Sequence, residues 1–187
     1  MNIGIIGKLG SGKTTAANYL VSQYGYIKHS LADPMREIVS NIFGIQDKTD
    51  PRYREIMQLL GTDWFRSYDR DVWVNYLKHQ IDQRKQPVVC DDVRFLNEAE
   101  AMLEWGWKLI YIMCPSDIRI ARSLARDGTF DPKCLEHESE MQIDLIYDLL
   151  HHDLVIIDGS RSIKYLTRKL DGFIQLLQVL EEANCGE

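Results

Sequence analysis

The sequence predicts a three-layer α/β fold, in which five mostly parallel strands form one sheet covered by helices on both faces. Short apolar runs alternate with longer stretches of helical spacing, a pattern typical of parallel strands joined by helices. The 187 residues, 45% of them hydrophobic, suffice for one domain with a full core. Ligands of such sheets bind at the carboxyl ends of the strands, so functional residues are expected there.

Each element is predicted from its own pattern of apolar residues. Short runs rich in β-branched residues predict strands at 3–6, 87–90, 109–113 and 154–157, with a weaker run at 26–29. Helical spacing predicts helices at 14–24, 35–43, 72–84 and 118–126. A last amphipathic helix, at 163–180, is expected to pack on the sheet. Segments 46–54 and 127–132 are predicted to be loops, the second of them mobile.

Composition and charge argue against several classes of protein. The net charge of -6 does not fit a general nucleic-acid binder, which needs broad basic surfaces. The four cysteines are scattered with no C-x-x-C pair, so neither a zinc site nor a disulfide framework is predicted. The first residues lack the basic segment of a signal peptide, and no apolar run approaches membrane-spanning length. We therefore expect a cytoplasmic protein without a membrane partner.

The strongest motif is a phosphate-binding loop, Gly7-Lys8-Leu9-Gly10-Ser11-Gly12-Lys13-Thr14, which matches G-x-x-x-x-G-K-[ST] between a strand and a helix. Its glycines let successive N–H groups face a phosphate, and the helix adds the positive end of its dipole. Lys13 is expected to reach the β- and γ-phosphates of ATP, and the Thr14 hydroxyl to bind magnesium. The residues expected to bind ATP here are Gly10, Ser11, Gly12, Lys13, Thr14 and Thr15. No N-K-x-D element follows a late strand, which argues against a switch GTPase.

Arginines are the second functional feature. Transfer of a phosphoryl group between two phosphates gathers negative charge, so the site needs magnesium and several planar guanidinium groups. Arg94 follows a predicted strand at the carboxyl edge of the sheet, and Arg122 and Arg126 share one helix face with Arg119 one turn earlier. The full set of candidates is Arg36, Arg66, Arg94, Arg119, Arg122 and Arg126.

Two aspartates and one tryptophan complete the candidate site. Asp91 and Asp92 follow a predicted strand, where a carboxylate can hold a metal-bound water opposite Thr14. Because adjacent strand residues point to opposite faces, one of the two can do this, and we assign the role to Asp92. Trp64, close to Arg66, is a candidate for stacking on an acceptor base.

The order of these motifs resembles that of the nucleoside monophosphate kinase family, and most closely the phage-type deoxynucleoside monophosphate kinases. The segments that carry the resemblance, over nearly the whole chain, are 7–15, Leu31-Ala32-Asp33-Pro34-Met35-Arg36, Leu60-Gly61-Thr62-Asp63-Trp64-Phe65-Arg66, Asp92-Val93-Arg94-Phe95-Leu96-Asn97-Glu98, 122–126 and Ile157-Asp158-Gly159-Ser160. The resemblance implies a P-loop NTPase fold in a single domain. Its parts are a core at 1–32, 86–126 and 145–187, a helical acceptor-binding insertion at 33–85 and a short lid at 127–144.

The resemblance also implies roles for individual residues. The acceptor is expected to contact Asp33, Arg36, Trp64, Arg66 and Arg94, while Asp158 and Gly159 lie against the adenine. Catalysis is assigned to Lys13, Arg94, Arg122 and Arg126, the last two closing over ATP and the transferring group. The segment 136–140 is acidic where many lids of the family supply arginines, so it stays open whether Arg119 or a residue of this segment completes the lid.

The expected activity is in-line transfer of the γ-phosphoryl group of ATP, with Mg²⁺, to the 5′-phosphate of a deoxynucleoside monophosphate. The phage-type resemblance implies that this occurs in a host cytoplasm. The alternatives are a kinase of another small phosphorylated acceptor such as phosphomevalonate, a kinase of a hydroxyl acceptor with Asp33 or Asp92 as general base, and a non-catalytic nucleotide-binding switch. The accepted bases, the discrimination against ribose and a possible homodimer stay open.

Overall fold

Five strands form one sheet in the order β2-β3-β1-β4-β5. The computed structural model describes residues 1–47, 50–81 and 86–184. The strands are β1 (Ile3–Ile6), β2 (Ile27–His29), β3 (Val88–Val93), β4 (Lys108–Met113) and β5 (Leu154–Asp158). β1 pairs in parallel with β3 and with β4, and β4 pairs in parallel with β5. The predicted α/β fold with a mostly parallel sheet is confirmed.

Helices connect the strands and extend between β2 and β3. They are α1 (Lys13–Tyr24), α2 (Asp33–Phe43), α3 (Pro51–Gln58), α4 (Phe65–Tyr68), α5 (Val72–Ile81), α6 (Leu96–Glu104), α7 (Ser116–Asp127), α8 (Glu138–Leu150) and α9 (Ile163–Asn184). A π-helical segment, Leu59–Trp64, joins α3 to α4. Within the described ranges, we find no helix that combines the length and the apolar character needed to cross a bilayer.

The structure corrects some predicted boundaries. β3 continues to Val93, so Asp91 and Asp92 lie inside the strand and Arg94 comes directly after it. The predicted loop at 46–54 is wrong in its last part because α3 begins at Pro51, whose fixed φ suits a first helical turn. The end of the predicted helix at 82–84 and the loop positions 48 and 49 lie outside the described residues.

The main core lies where the sheet packs against α1 and α9. Leu20 of α1, Ile110 of β4 and Leu170 of α9 are completely buried in one hydrophobic cluster. Burying one such side chain stabilises the fold by about 1.5–3 kcal/mol. This packing holds the start of α1 next to the end of β1 and thereby positions the loop between them.

The chain divides into two compact units. One comprises Met1–Lys28 and the chain from Gln86 onward, and the other is His29–Lys85. In the second unit, Trp73 is buried, packs its ring 5.2 Å from that of Phe65 and donates from Nε1 to the Gly61 carbonyl at 3.0 Å. The role of this unit in acceptor binding stays a prediction.

Candidate active site

The loop between β1 and α1 turns at glycines. Gly10 and Gly12 have φ values of 79° and 109°, in the left-handed region that favours glycine. A Cβ on Gly10 would lie 2.5 Å from the carbonyl oxygen of Arg119, so the loop contacts α7 closely there. A Cβ on Gly12 would meet no described atom within 4 Å. Because Gly12 is the N-cap of α1 and carries no side chain to cap it, the first N–H groups of α1 are suited to an anion.

Lys13 lies across its own loop. Its Nζ donates to the carbonyl oxygen of Gly7 and, at 3.0 Å, to that of Lys8. Burial, with the nearby Arg94 guanidinium, lowers the pKa of Lys13 to about 7. Three carboxylates act in the opposite direction, those of Glu140, Asp91 and Asp92. Anionic phosphate oxygens beside Nζ would favour the charged ammonium further.

The turn after β5 packs against the phosphate loop. A Cβ on Gly159 would lie 2.7 Å from the carbonyl oxygen of Ser11, and the Gly159 N–H donates to the Met113 carbonyl at 2.7 Å. The Ser11 hydroxyl is buried and makes no hydrogen bond to the described residues. A buried hydroxyl of this kind fits a loop that receives a ligand oxygen. The contact of Asp158 and Gly159 with adenine stays a prediction.

Glu140 brings an arginine and the phosphate loop together. Only 3% of its side chain is exposed, and its Oε1 accepts from Arg94 Nη1 at 2.8 Å. The Leu9 N–H donates to Oε1 at 3.2 Å and to Oε2 at 3.1 Å. Arg119 Nη1 lies 3.9 Å from Oε2 and also donates to the Leu9 carbonyl at 3.2 Å. Both the N–H and the carbonyl group of Leu9, in the middle of the phosphate loop, are therefore hydrogen-bonded to side chains.

Glu140 could not be singled out from the sequence, because its partners are remote in the chain. Arg94 is 46 positions away and Leu9 is 131 positions away. Glu98 was not predicted either; it is a buried carboxylate that accepts from the N–H groups of Arg94 at 2.7 Å and Phe95 at 3.0 Å. Here a local signal exists, since glutamate at the third position of a helix is half of a capping box. Glu98 thus fixes the backbone of Arg94, and Glu140 contacts its side chain.

The three arginines of α7 lie in different environments. Arg119 is buried and, besides its contacts with the loop, donates from Nε to the Cys114 carbonyl at 3.0 Å. Arg122 Nη1 donates to the Gly159 carbonyl at 2.8 Å, which ties α7 to the turn after β5. Arg126 is 58% exposed and its guanidinium pairs with Asp127 at 2.7 Å. Arg119 therefore contacts the phosphate loop, Arg122 contacts the turn after β5, and Arg126 pairs within its own helix.

The two aspartates of β3 differ in their partners. Asp91 is buried, and its Oδ2 lies 2.7 Å from Lys28 Nζ of β2. Asp92 is half-buried and its Oδ1 accepts from Cys90 Sγ at 3.2 Å. Thr14 is exposed in the first turn of α1. Carboxylate and hydroxyl oxygens suit Mg²⁺, which keeps several waters, so the pair Thr14 and Asp92 fits this ion.

The second unit holds the other predicted acceptor residues. Arg36 Nη1 donates to Asp33 Oδ1 at 2.5 Å and to Ser30 Oγ at 2.9 Å. Trp64 ends the π-helical segment with 68% of its surface exposed. Arg66 donates from Nη1 to the Arg70 carbonyl at 3.5 Å. Irregular helices of the π type are frequent at functional sites, but contact of these residues with an acceptor stays a prediction.

Comparisons with known proteins cover most of the chain. A family model described as an AAA domain matches residues 3–143. A protein of Acanthamoeba polyphaga mimivirus named "Putative deoxynucleotide monophosphate kinase" is 30% identical in an alignment that covers 84% of this chain and 88% of that protein.

Solved structures resemble the fold as a whole. A gluconokinase from Sinorhizobium meliloti 1021 superposes with a TM-score of 0.59 and 17% identity, over 97% of this chain and 96% of that one. TT1252 from Thermus thermophilus superposes with a TM-score of 0.61 and 20% identity, over 95% of this chain and 97% of that one. At these identities the likeness concerns the fold alone.

Proposed function

The chain belongs to the AAA domain family and is a P-loop kinase related to the mimivirus protein, and we propose that it phosphorylates deoxynucleoside monophosphates with ATP. In the reaction, a 5′-phosphate oxygen of the acceptor forms a bond to the γ-phosphorus of ATP while the bond to the β–γ bridging oxygen breaks. The products are ADP and a deoxynucleoside diphosphate. The name of the relative, over most of both chains, supports a nucleotide as acceptor.

The observation that carries the proposal is the gathering of cations around one open glycine loop. Lys13 lies on the loop, Arg119 bonds to its backbone, and Arg94 shares a carboxylate with its Leu9 N–H. A donor triphosphate and an acceptor phosphate bring more negative charge than a single phosphate, and grouped cations suit such a pair. This arrangement supports a phosphorylated acceptor over a hydroxyl acceptor.

Positioning and charge stabilisation account for catalysis in this proposal. A phosphate monoester has a second pKa of about 6, so the acceptor is an anionic nucleophile at neutral pH and needs no protein base. Lys13 binds the β- and γ-phosphates, and Arg94 aligns the acceptor phosphate with the γ-phosphorus. Arg122 and Arg126 close over the transferring group and exclude water. Arg36, Arg66 and Trp64 are the further residues that we assign to acceptor binding.

Thr14 and Asp92 would hold Mg²⁺, which would neutralise part of the phosphate charge. Asp91 is less suited because its carboxylate is buried and paired with Lys28.

A matched pair of lysine variants tests the proposal. Lys13→Ala should abolish ADP release that depends on a deoxynucleoside monophosphate, because the β- and γ-phosphates lose their bound cation. Lys8→Ala is the control: it removes a lysine of the same loop whose Nζ instead pairs with Asp144 at 2.7 Å, and it should keep most of the activity. Equal activity of the two variants would contradict the role of Lys13.

A panel of acceptors separates the alternatives in the same coupled assay. Deoxynucleoside monophosphates, ribonucleoside monophosphates, phosphomevalonate, gluconate and nucleosides are offered with ATP and Mg²⁺. Turnover with deoxynucleoside monophosphates supports the proposal, and Arg94→Ala should then weaken acceptor use more than ATP binding. Turnover with a hydroxyl acceptor alone, or tight nucleotide binding without any turnover, would refute the proposal.

A further inference from the structure

Glu140 differs from an ordinary glutamate of a helix surface in its burial and in its contacts. It lies in the first turn of α8, yet its carboxylate is almost completely buried and contacts the loop between β1 and α1. A buried carboxylate is costly unless hydrogen bonds and opposite charges surround it. Its contacts are the Leu9 N–H, the Arg94 guanidinium and, at longer range, the Arg119 guanidinium.

The helix that carries Glu140 is anchored in the core. Ile143 and Ile146, one and two turns further along α8, are completely buried. This packing fixes the backbone that carries Glu140, and the hydrogen bonds from the Leu9 N–H and Arg94 hold its carboxylate at the loop. This argues that the carboxylate is a fixed part of the site and does not act as a temporary substitute for a phosphate.

Arg94 is held at two points but keeps donors for a ligand. Its backbone N–H donates to Glu98 and its Nη1 donates to Glu140, while 31% of its side chain remains exposed. A guanidinium has five N–H donors, so one contact with a carboxylate leaves others for phosphate oxygens. Without Glu140, the like charges of Lys13 and Arg119 would drive Arg94 away from the loop.

We propose that Glu140 is a positioning residue for phosphoryl transfer, which holds the Arg94 guanidinium beside the phosphate loop so that its remaining donors face the phosphates. The inference rests on the proposed function, since it concerns the same site and reaction. It assigns no chemical step to Glu140 itself: the carboxylate acts through Arg94, and the Leu9 N–H anchors that carboxylate.

The first test compares two glutamates of the same helical turn. Glu140→Gln keeps the shape and the acceptor oxygen but removes the charge that holds Arg94, and kcat should fall about 10- to 100-fold, the usual effect of misplacing an aligned group. The Kd for ATP, measured by calorimetry, should stay within about threefold or decrease, because a negative charge beside the triphosphate is removed. Glu138→Gln removes the same charge from an exposed position, and its kcat should stay within about twofold of wild type.

The second test asks whether Glu140 acts through Arg94. The kcat of the double variant Arg94→Gln/Glu140→Gln should equal that of Arg94→Gln within about twofold, because the carboxylate then has no guanidinium to position. The double variant removes the two charges together and so remains informative if Glu140→Gln alone fails to fold. A further large loss in the double variant would overturn the inference, since Glu140 would then act independently of Arg94.

A third measurement does not depend on any acceptor. In ¹⁵N-labelled protein, the side-chain N–H signals of Arg94, identified by their loss in Arg94→Gln, should exchange slowly with water in wild type and rapidly in Glu140→Gln. Fast exchange in wild type would overturn the inference. If wild type transfers phosphate to an acceptor but Glu140→Gln and Glu138→Gln have equal kcat, the inference alone fails. If wild type phosphorylates nothing in the panel, the proposed function fails, and the exchange measurement still decides whether Glu140 holds Arg94.

Discussion

Replacing Gly10 with alanine should destabilise the ligand-free protein by more than its φ angle alone requires. Gly10 has a φ of 79°, and the new Cβ would lie 2.5 Å from the carbonyl oxygen of Arg119. That oxygen belongs to the backbone of α7, so it cannot rotate away as a flexible side chain would. Gly106 has nearly the same φ, 77°, but a Cβ there would meet no described atom within 4 Å. The two positions therefore separate backbone strain from steric overlap.

The expected magnitudes follow from these contacts. A Cβ in the left-handed region costs roughly 1–2 kcal/mol, and this cost applies to Gly106→Ala and Gly10→Ala alike. Overpacking adds about 1–3 kcal/mol for Gly10→Ala alone. With a urea m-value of about 2 kcal/mol/M, the unfolding midpoint of Gly10→Ala should lie about 0.5–1.5 M below that of Gly106→Ala.

Urea unfolding of wild type and the two variants, without nucleotide, measures this difference. The m-values should agree, so that a shift in midpoint reports a change in the free energy of unfolding. Coincident midpoints for Gly10→Ala and Gly106→Ala would show that the loop moves freely away from α7. The close packing of the loop against α7 would then be refuted.

The remaining predictions concern parts of the scaffold. Gly172→Ala, at an exposed position inside α9 where a Cβ meets no described atom, should raise the free energy of unfolding by about 0.5–1 kcal/mol. Two tyrosine hydroxyls of α1 donate to Asp171 and lower its pKa. The ionised Asp171 carboxylate therefore stabilises the fold above its unfolded pKa of about 3.9, and this stabilisation is lost as the pH falls through its lower pKa in the folded protein. The urea midpoints of Asp171→Asn and wild type should therefore converge in acid. Glu98→Ala should cost about 1–3 kcal/mol because the buried N–H groups of Arg94 and Phe95 lose their acceptor, and Glu100→Ala on the same helix should cost almost nothing, as thermal unfolding will show.

Local patterns were sufficient to predict the strands and the phosphate loop. Strand periodicity and loop glycines are properties of neighbouring residues, and the predicted strand at 3–6 and the helix after the loop appear almost unchanged. The end of β3 was predicted too early because Asp91 and Asp92 are polar residues that rarely continue a strand. Pairing of β3 with β1 through Val93 overrides that local preference.

The candidate site was predicted as a set of residues but not as an arrangement. The position of Arg94 after a strand was predictable, since the alternation of strands and helices indicates where that strand ends. Two ion pairs could not be predicted, that of Arg126 with Asp127 and that of Asp91 with Lys28. A charged side chain has several possible partners, and the sequence does not rank them.

Local patterns along the chain specify a parallel α/β sheet with a phosphate loop after its first strand, because apolar periodicity and the conformational freedom of glycine act over a few residues. Which carboxylate faces that loop depends on how distant elements pack in three dimensions. Glu140 reaches Leu9 and Arg94 only because the buried isoleucines of α8 place its first turn there. Such a contact depends on the packing of distant elements, and no local pattern encodes it.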